Sequence, residues 1–167
     1  MSKTYENLMA AFAGESQANR KYLAFAKKAE DEGYPQIAKL FRSAAEAETI
    51  HAHAHLRVAD GIKSTVENLK AAIEGEGHEF NNMYPDFLEV ALKEGNKKAE
   101  VSFKNAMAVE KIHYDLYTDA LKALNAGKDL PSNDIWVCDV CGNTVSGNPP
   151  EKCPICSVMR DRFFKVE

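Results

Sequence analysis

Apolar positions recur at helical spacing over most of this chain. Leu8, Ala11, Phe12, Tyr22 and Ala26 form one stripe, and the polar residues Glu15 and Asn19 fall on it too. Thr4 stands where a cap is expected for a helix opening at Tyr5, and Gly33 stops that helix. Pro35 suits the first turn of a second helix, whose stripe is Ile37, Phe41, Ala44, Glu48, His51 and His55. This helix ends near Asp60-Gly61. Ser64-Thr-Val-Glu67 is a capping-box pattern and opens a third helical stretch. Gly75, Gly77 and Pro85 are expected to weaken or kink it before Gly95 ends it. A fourth helix runs from about Lys97 to about Asn125, ended by Gly127 and Pro131. Beyond Ile135 the helical period disappears into Cys, Pro and Gly. The pattern predicts an all-α four-helix bundle over residues 1–130 and a small metal-stapled domain, mostly β and loop, over 131–167.

The helices repeat. A shift of 62 positions lays Phe41 on Phe103, Ala44 on Ala106, Glu48 on Glu110, Ile50 on Ile112 and His51 on His113. The same shift takes Tyr22 to Tyr84 and Gly33 to Gly95, whereas Gly14-Glu15 meets Gly75-Glu76 at a shift one residue shorter. This reads as two helical hairpins, neither able to bury its apolar face alone, with the stretch from Asp60 to Gly75 as the crossover.

The repeat also sorts the histidines of Ala45-Glu-Ala-Glu-Thr-Ile-His-Ala-His-Ala-His55. It keeps Glu48-x-x-His51 as Glu110-x-x-His113, but puts Asp115 and Tyr117 opposite His53 and His55. His53 lies about 200° round the helix from His51 and is expected in solvent. His55 shares the stripe, at the edge of any site there. A zinc-protease motif is excluded because residue 52 is Ala.

Glu15, Glu48 and Glu110 each interrupt an apolar stripe. A bare carboxylate in a core costs several kcal/mol or more, so a group of them calls for a shared cation. Glu-x-x-His places an oxygen and an imidazole on one helix face. Two such pairs, plus a Glu from each remaining helix, form the di-iron or di-manganese site of carboxylate-bridged bundles. Glu15 supplies the first helix's carboxylate. On the third helix the repeat selects Glu76, and Glu79 lies one turn on. Glu74, Glu89 and Glu94 are the other acids of this helix, and Glu89, Glu94 and His78 are expected at the surface. Tyr22 and Tyr84, two turns from the ligands, are expected to pack in the core, with hydroxyls able to hydrogen-bond the carboxylates.

All four cysteines sit in two knuckles, Cys138-Asp-Val-Cys141 and Cys153-Pro-Ile-Cys156. Four thiolates in a tetrahedron suit a single iron or a zinc, and spacing does not separate the two. Trp136, Phe163 and Phe164 are the expected core of this small domain. Such clustering suits a reducing compartment and a metal rather than disulfides. The 167 residues carry a formal net charge of −4, which argues against nucleic acid or an anionic membrane as partner. No apolar run is long enough to cross a bilayer, and Met1-Ser-Lys-Thr-Tyr lacks the pattern of a signal peptide, so a cytoplasmic location is expected.

Taken together, Gly14-Glu15-Ser16-Gln17, both Glu-x-x-His pairs, Gly75-Glu76 with Glu79, Met83-Tyr84-Pro85 and the rubredoxin-like knuckles resemble the rubrerythrin family over nearly the whole chain. The resemblance implies a ferritin-like di-iron bundle followed by a rubredoxin-like domain. It implies a non-haem di-iron peroxidase that reduces hydrogen peroxide to water. One iron would use Glu15, Glu48 and His51, with Glu79 replacing His51 in the oxidised state. The other would use Glu76, Glu110 and His113, with Glu48 and Glu110 bridging. Cys138, Cys141, Cys153 and Cys156 would hold a third iron that relays electrons. Their source would be rubredoxin or an NAD(P)H-dependent flavoprotein reductase. The resemblance further implies a homodimer in which one chain's cysteine domain approaches the partner's di-iron site. Ser157 departs from the pattern, since a free rubredoxin often has Gly after its last cysteine.

Two other classes compete. A ferroxidase would merely oxidise bound iron and needs no built-in one-electron relay. A binding module with a structural zinc ribbon would leave the convergent carboxylates unexplained.

Overall fold

The computed structural model describes residues 2–167. The order of elements is α1 (Lys3–Asp31), α2 (Pro35–Val58), α3 (Thr65–His78), a π turn (Glu79–Met83), α4 (Tyr84–Lys93), α5 (Lys97–Asn125), β1 (Ile135–Cys138), β2 (Thr144–Ser146), a 3-10 turn (Arg160–Arg162) and β3 (Phe163–Val166). The class is the expected one, helices first and a small cysteine-bearing sheet after. No described helix is long and apolar enough to cross a membrane. The chain divides into two compact units, Met1–Lys63 and Ser64–Glu167.

In the first unit, α1 opens two residues earlier than the capping pattern suggested. Ser2 is the cap, its hydroxyl accepting from the Tyr5 N–H at 3.2 Å, and Thr4 lies inside the helix. Gly33 takes φ +83° at the turn into α2, a conformation that favours glycine. The α1/α2 contact is lined by alanines: Ala26, Ala29, Ala38, Ala45 and Ala52 are buried. Small side chains let the two backbones come close. Buried Asn19 then crosses between them, its Nδ2 donating to the Ala45 carbonyl at 2.7 Å and to Thr49 Oγ1 at 2.8 Å. This bond fixes the register of α1 on α2 one turn beyond Glu15.

The connection out of α2 is shorter than the expected crossover, because the capping box at Ser64 starts α3 at once. Only residues 59–64 lie between the helices, and the rest of the predicted stretch is α3 itself. Nor do Gly75 and Gly77 break α3. Gly77 serves close packing on α5, since a Cβ there would lie 3.3 Å from the Tyr114 ring. Pro85 falls at the start of α4, where its missing N–H is tolerated. The π turn before it widens the helix by one residue, and the Tyr84 N–H reaches back five residues to the Glu79 carbonyl.

That extra residue explains the change of shift within the repeat. Beyond it, equivalent rings pack alike. Tyr22 stacks near Phe41 with ring centroids 6.2 Å apart, and Tyr84 near Phe103 at 6.2 Å. Phe25 meets Phe41 at 5.6 Å, as Phe87 meets Phe103 at 5.7 Å.

The C-terminal sheet has strand order β2-β1-β3, all antiparallel. Its core is Cys138, Cys153 and Phe163, with Trp136, Val145 and Ile155 packed against them. Phe164 does not join it. Strand alternation sends successive side chains to opposite faces, and Phe164 is 52% exposed.

Candidate metal centres

The cysteine knuckles are built by tight backbone bonds. The Gly142 N–H donates to the Cys138 carbonyl at 2.9 Å, and the Ser157 N–H to the Cys153 carbonyl at 3.0 Å. Each knuckle closes through a left-handed residue, Gly142 at φ +84° and Ser157 at φ +67°. The glycine position of a free rubredoxin is therefore a conformational requirement that Ser157 meets under strain. The four sulfurs are free thiols converging on one point. Cys138 and Cys156 stand 3.7 Å apart, and Cys141 and Cys153 3.6 Å. A regular tetrahedron with metal–sulfur bonds of ~2.3 Å has edges of about 3.8 Å, so the cage fits a tetrahedral ion. Burial chiefly pushes the Cys141 and Cys156 thiols up. Burial acts the same way on Cys153, but the N–H groups of Cys156 and Ile155 outweigh it and hold that thiol near about 7. Asn143, itself buried, also points its Nδ2 at Cys153 Sγ from 3.7 Å.

The predicted Glu and His ligands gather into two groups, one in each unit. In the first, Glu15 on α1 meets Glu48 and His51 on α2. His51 Nδ1 lies 3.1 Å from Glu48 Oε2 and 4.0 Å from Glu15 Oε1. In the second, Glu76 on α3 meets Glu110 and His113 on α5. His113 Nδ1 lies 2.8 Å from Glu110 Oε2 and 3.8 Å from Glu76 Oε2. In both groups the donor atoms fall within 4.8 Å of one another, two carboxylates and one imidazole each. Hard oxygen donors with one nitrogen suit iron or manganese.

Electrostatics show why these acids need a cation. Burial first, then the hydrogen bond and charge of Glu110 and the charge of Glu79, push the Glu76 carboxyl up to about 7. Burial and the charge of Glu110 raise Glu79 as well. Glu79 is not one of the three converging donors, but it lies close enough to feel Glu110 and His113. Tyr84 is raised by burial and by Glu110, Glu79 and Glu76, so its hydroxyl keeps its proton beside these carboxylates. Tyr22 packs with Phe25 and Phe41.

His53 and His78 are exposed, His55 is half-buried, and none belongs to a metal group among the described residues. Glu74, Glu89 and Glu94 are exposed. Two residues escaped the sequence reading. Asn19 was visible only as a polar interruption of the α1 stripe. Thr144 gave no signal at all, yet its Oγ1 lies 2.9 Å from His113 Nε2. This contact brings the knuckle of the same chain to His113, where the resemblance implies an approach across a dimer.

Comparison with known proteins agrees with this arrangement. The sequence model for rubrerythrin matches residues 6–121, and that for the rubrerythrin rubredoxin-like domain matches residues 136–164. The chain belongs to the rubrerythrin family. Rubrerythrin-2 of Clostridium acetobutylicum is 37% identical over 174 residues, covering 96% of this chain and 95% of the relative. Nigerythrin of Nitratidesulfovibrio vulgaris is 37% identical over 177 residues, covering 98% of this chain and 86% of the relative. A fully reduced, all-ferrous structure of nigerythrin aligns with TM-score 0.58 at 36% identity, over 99% of this chain and 88% of that one. The cofactors are those of the family: iron in the four-cysteine cage, and a di-iron centre for the Glu and His groups.

Proposed function

We propose that this protein is a non-haem di-iron peroxidase that reduces hydrogen peroxide to water and protects the cell from oxidative stress. The observation that supports it best is the combination, on one chain, of two equivalent Glu-Glu-His groups with a tetrathiolate cage whose knuckle hydrogen-bonds one of the ligand histidines. Storage of iron needs no such one-electron relay.

Ferrous ions held by the two groups would deliver two electrons to one peroxide, which takes up two protons as its O–O bond breaks and leaves as two waters. The residues do the rest. Glu15 and His51 would hold one ion and Glu76 and His113 the other, with Glu48 and Glu110 shared between them. Glu79 would take the place of His51 in the oxidised state. Glu76, whose carboxyl is pushed up to about 7 without metal, would give up its proton when the ion binds. Tyr84 offers a protonated hydroxyl to the same pocket. Cys138, Cys141, Cys153 and Cys156 would hold the relaying iron.

The domain division in this reading is 1–130 for the ferritin-like part and 131–167 for the rubredoxin-like part. The external donor is a rubredoxin or an NAD(P)H-dependent flavoprotein reductase, and the working unit is a homodimer. The clustered free thiols suit the reducing cytoplasm. The test is turnover of hydrogen peroxide by the iron-loaded protein with an external reductant. Many peroxides consumed per chain support the reading. Oxidation of bound iron once, with no turnover, would leave a ferroxidase.

A further inference from the structure

His113 and Thr144 come from parts of the chain with different jobs, the helical ligand group and the cysteine knuckle. Thr144 Oγ1 has a single proton, and it donates that proton to the Gly142 carbonyl at 3.0 Å. Only its lone pairs are left for His113 Nε2 at 2.9 Å. His113 Nε2 must therefore carry the ring proton, because two acceptors do not bond. When the ring ligates an ion it is neutral, and with the proton on Nε2 its bare nitrogen is Nδ1, the one that faces Glu110 and Glu76. A single hydroxyl thus selects the tautomer with its free nitrogen turned toward the metal position.

The same hydroxyl closes a short chain of bonds. Gly142 follows the cage ligand Cys141, its carbonyl accepts from Thr144, and Thr144 accepts from His113. Gly142 also lies flat on α5, where an added Cβ would stand 3.6 Å from Val109 Cγ1. Among the described residues, His51 has nothing comparable. His51 is 55% exposed at its side chain, and its ion-pair contacts run through Nδ1 alone.

We propose that Thr144 is a positioning residue: it sets the tautomer of His113, seats the knuckle on α5, and completes the route by which electrons pass from the Cys141 side of the cage to the His113 group. This rests on the peroxidase reading above. One electron passes per event. The thiolate-bound ferrous ion is oxidised to ferric, one ferric ion bound through His113 is reduced to ferrous, and Thr144 neither gains nor loses a proton. Two such events restore the pair after each peroxide, with the external reductant resupplying the cage.

The test compares Thr144→Val, which keeps the shape and removes the hydroxyl, with Thr144→Ser, which keeps the hydroxyl. The first readout is nitrogen-proton NMR of the full chain loaded with zinc. Wild type and Thr144→Ser should show a slowly exchanging His113 Nε2 proton and bare Nδ1, and Thr144→Val should lose that protection. The second is stopped-flow mixing of reduced, iron-loaded protein with peroxide. Return of the visible thiolate-iron band should be about tenfold slower in Thr144→Val, the weight of one hydrogen bond in the docked population, and near normal in Thr144→Ser. A protected ring proton in Thr144→Val, or an unchanged return of the band, overturns the proposal. If wild type fails to turn over peroxide, the peroxidase reading falls, and the ring proton still decides the role of Thr144.

Discussion

Glu76 on α3 and Glu110 on α5 converge on one nitrogen, His113 Nδ1, at 3.8 and 2.8 Å. Two carboxylates so placed share a proton until a cation replaces it. Glu76 titrates at about 7 in the folded protein against 4.5 ordinarily. Below pH 4.5 the group is protonated folded or unfolded and has no effect on stability. Between the two values only the folded protein holds the proton, so stability falls as pH rises, and the full penalty is reached above about 7. After solvent screening we expect this to be about 1 kcal/mol. With metal in the cysteine cage but none at the Glu and His groups, urea midpoints should be lower at pH 7.5 than at pH 5. Glu76→Gln should shrink that difference. Filling the second group with a divalent cation should release protons and tighten as pH rises toward 7.

Glu110→Ala removes one of the second group's two carboxylates and leaves Glu76 and His113 facing each other. The expected result is loss of the di-iron centre and of peroxide turnover, with the thiolate-bound iron retained. Metal analysis and the visible spectrum separate these outcomes. Full turnover in this variant would remove Glu110 from the bridge.

His51 and His53 are two residues apart on α2 and should behave oppositely. His51→Ala takes the imidazole from the Glu15 and Glu48 group and should weaken metal binding there by tenfold or more, on the order of one lost ligand. His53 is exposed and outside the group, so His53→Ala should leave metal content and turnover unchanged. A large loss of iron in the His53 variant would show that the repeat selects the wrong histidine.

Ser157 occupies the left-handed region at φ +67° beside the last cysteine. A side chain there costs about 1 kcal/mol relative to glycine. Ser157→Gly should therefore stabilise the small domain by about that much, seen as slower metal loss to a chelator. An equal or faster loss would mean the serine hydroxyl contributes something the strain argument omits.

The two Glu-Glu-His groups are legible in the sequence because they obey helix periodicity. Glu48 with His51 and Glu110 with His113 need only i, i+3 spacing, and the repeat distinguishes them from His53 and His55. What periodicity cannot show is a single contact between distant segments. Asn19 locks α1 to α2 through the Ala45 carbonyl, and a polar residue on a stripe announces no partner. Thr144 sits in a short strand and reaches His113 only because β2 packs on α5. Phe163 and Phe164 look alike in the sequence, since two adjacent aromatics do not reveal which one a strand turns inward.

The π turn is the intermediate case, recorded in the sequence as a repeat that slips by one between Glu76 and Tyr84. One residue turns an α-helix by about 100°, so without the wider turn Glu76 and Tyr84 would not both face α5. Deleting Asn82 should convert the turn to ordinary helix and rotate Tyr84 and Phe87 away from Phe103, or else rotate Glu76 and Glu79 away from Glu110. Either way the variant should lose metal at the second group and melt earlier, while the cysteine cage keeps its iron. Asn81→Ala is the control. It removes only the bond from Asn81 Nδ2 to the Gly77 carbonyl at 2.8 Å and leaves the length intact, so it should bind metal normally. If the deletion binds a full complement of iron, the extra residue is a tolerated insertion and the π turn has no part in aligning the site.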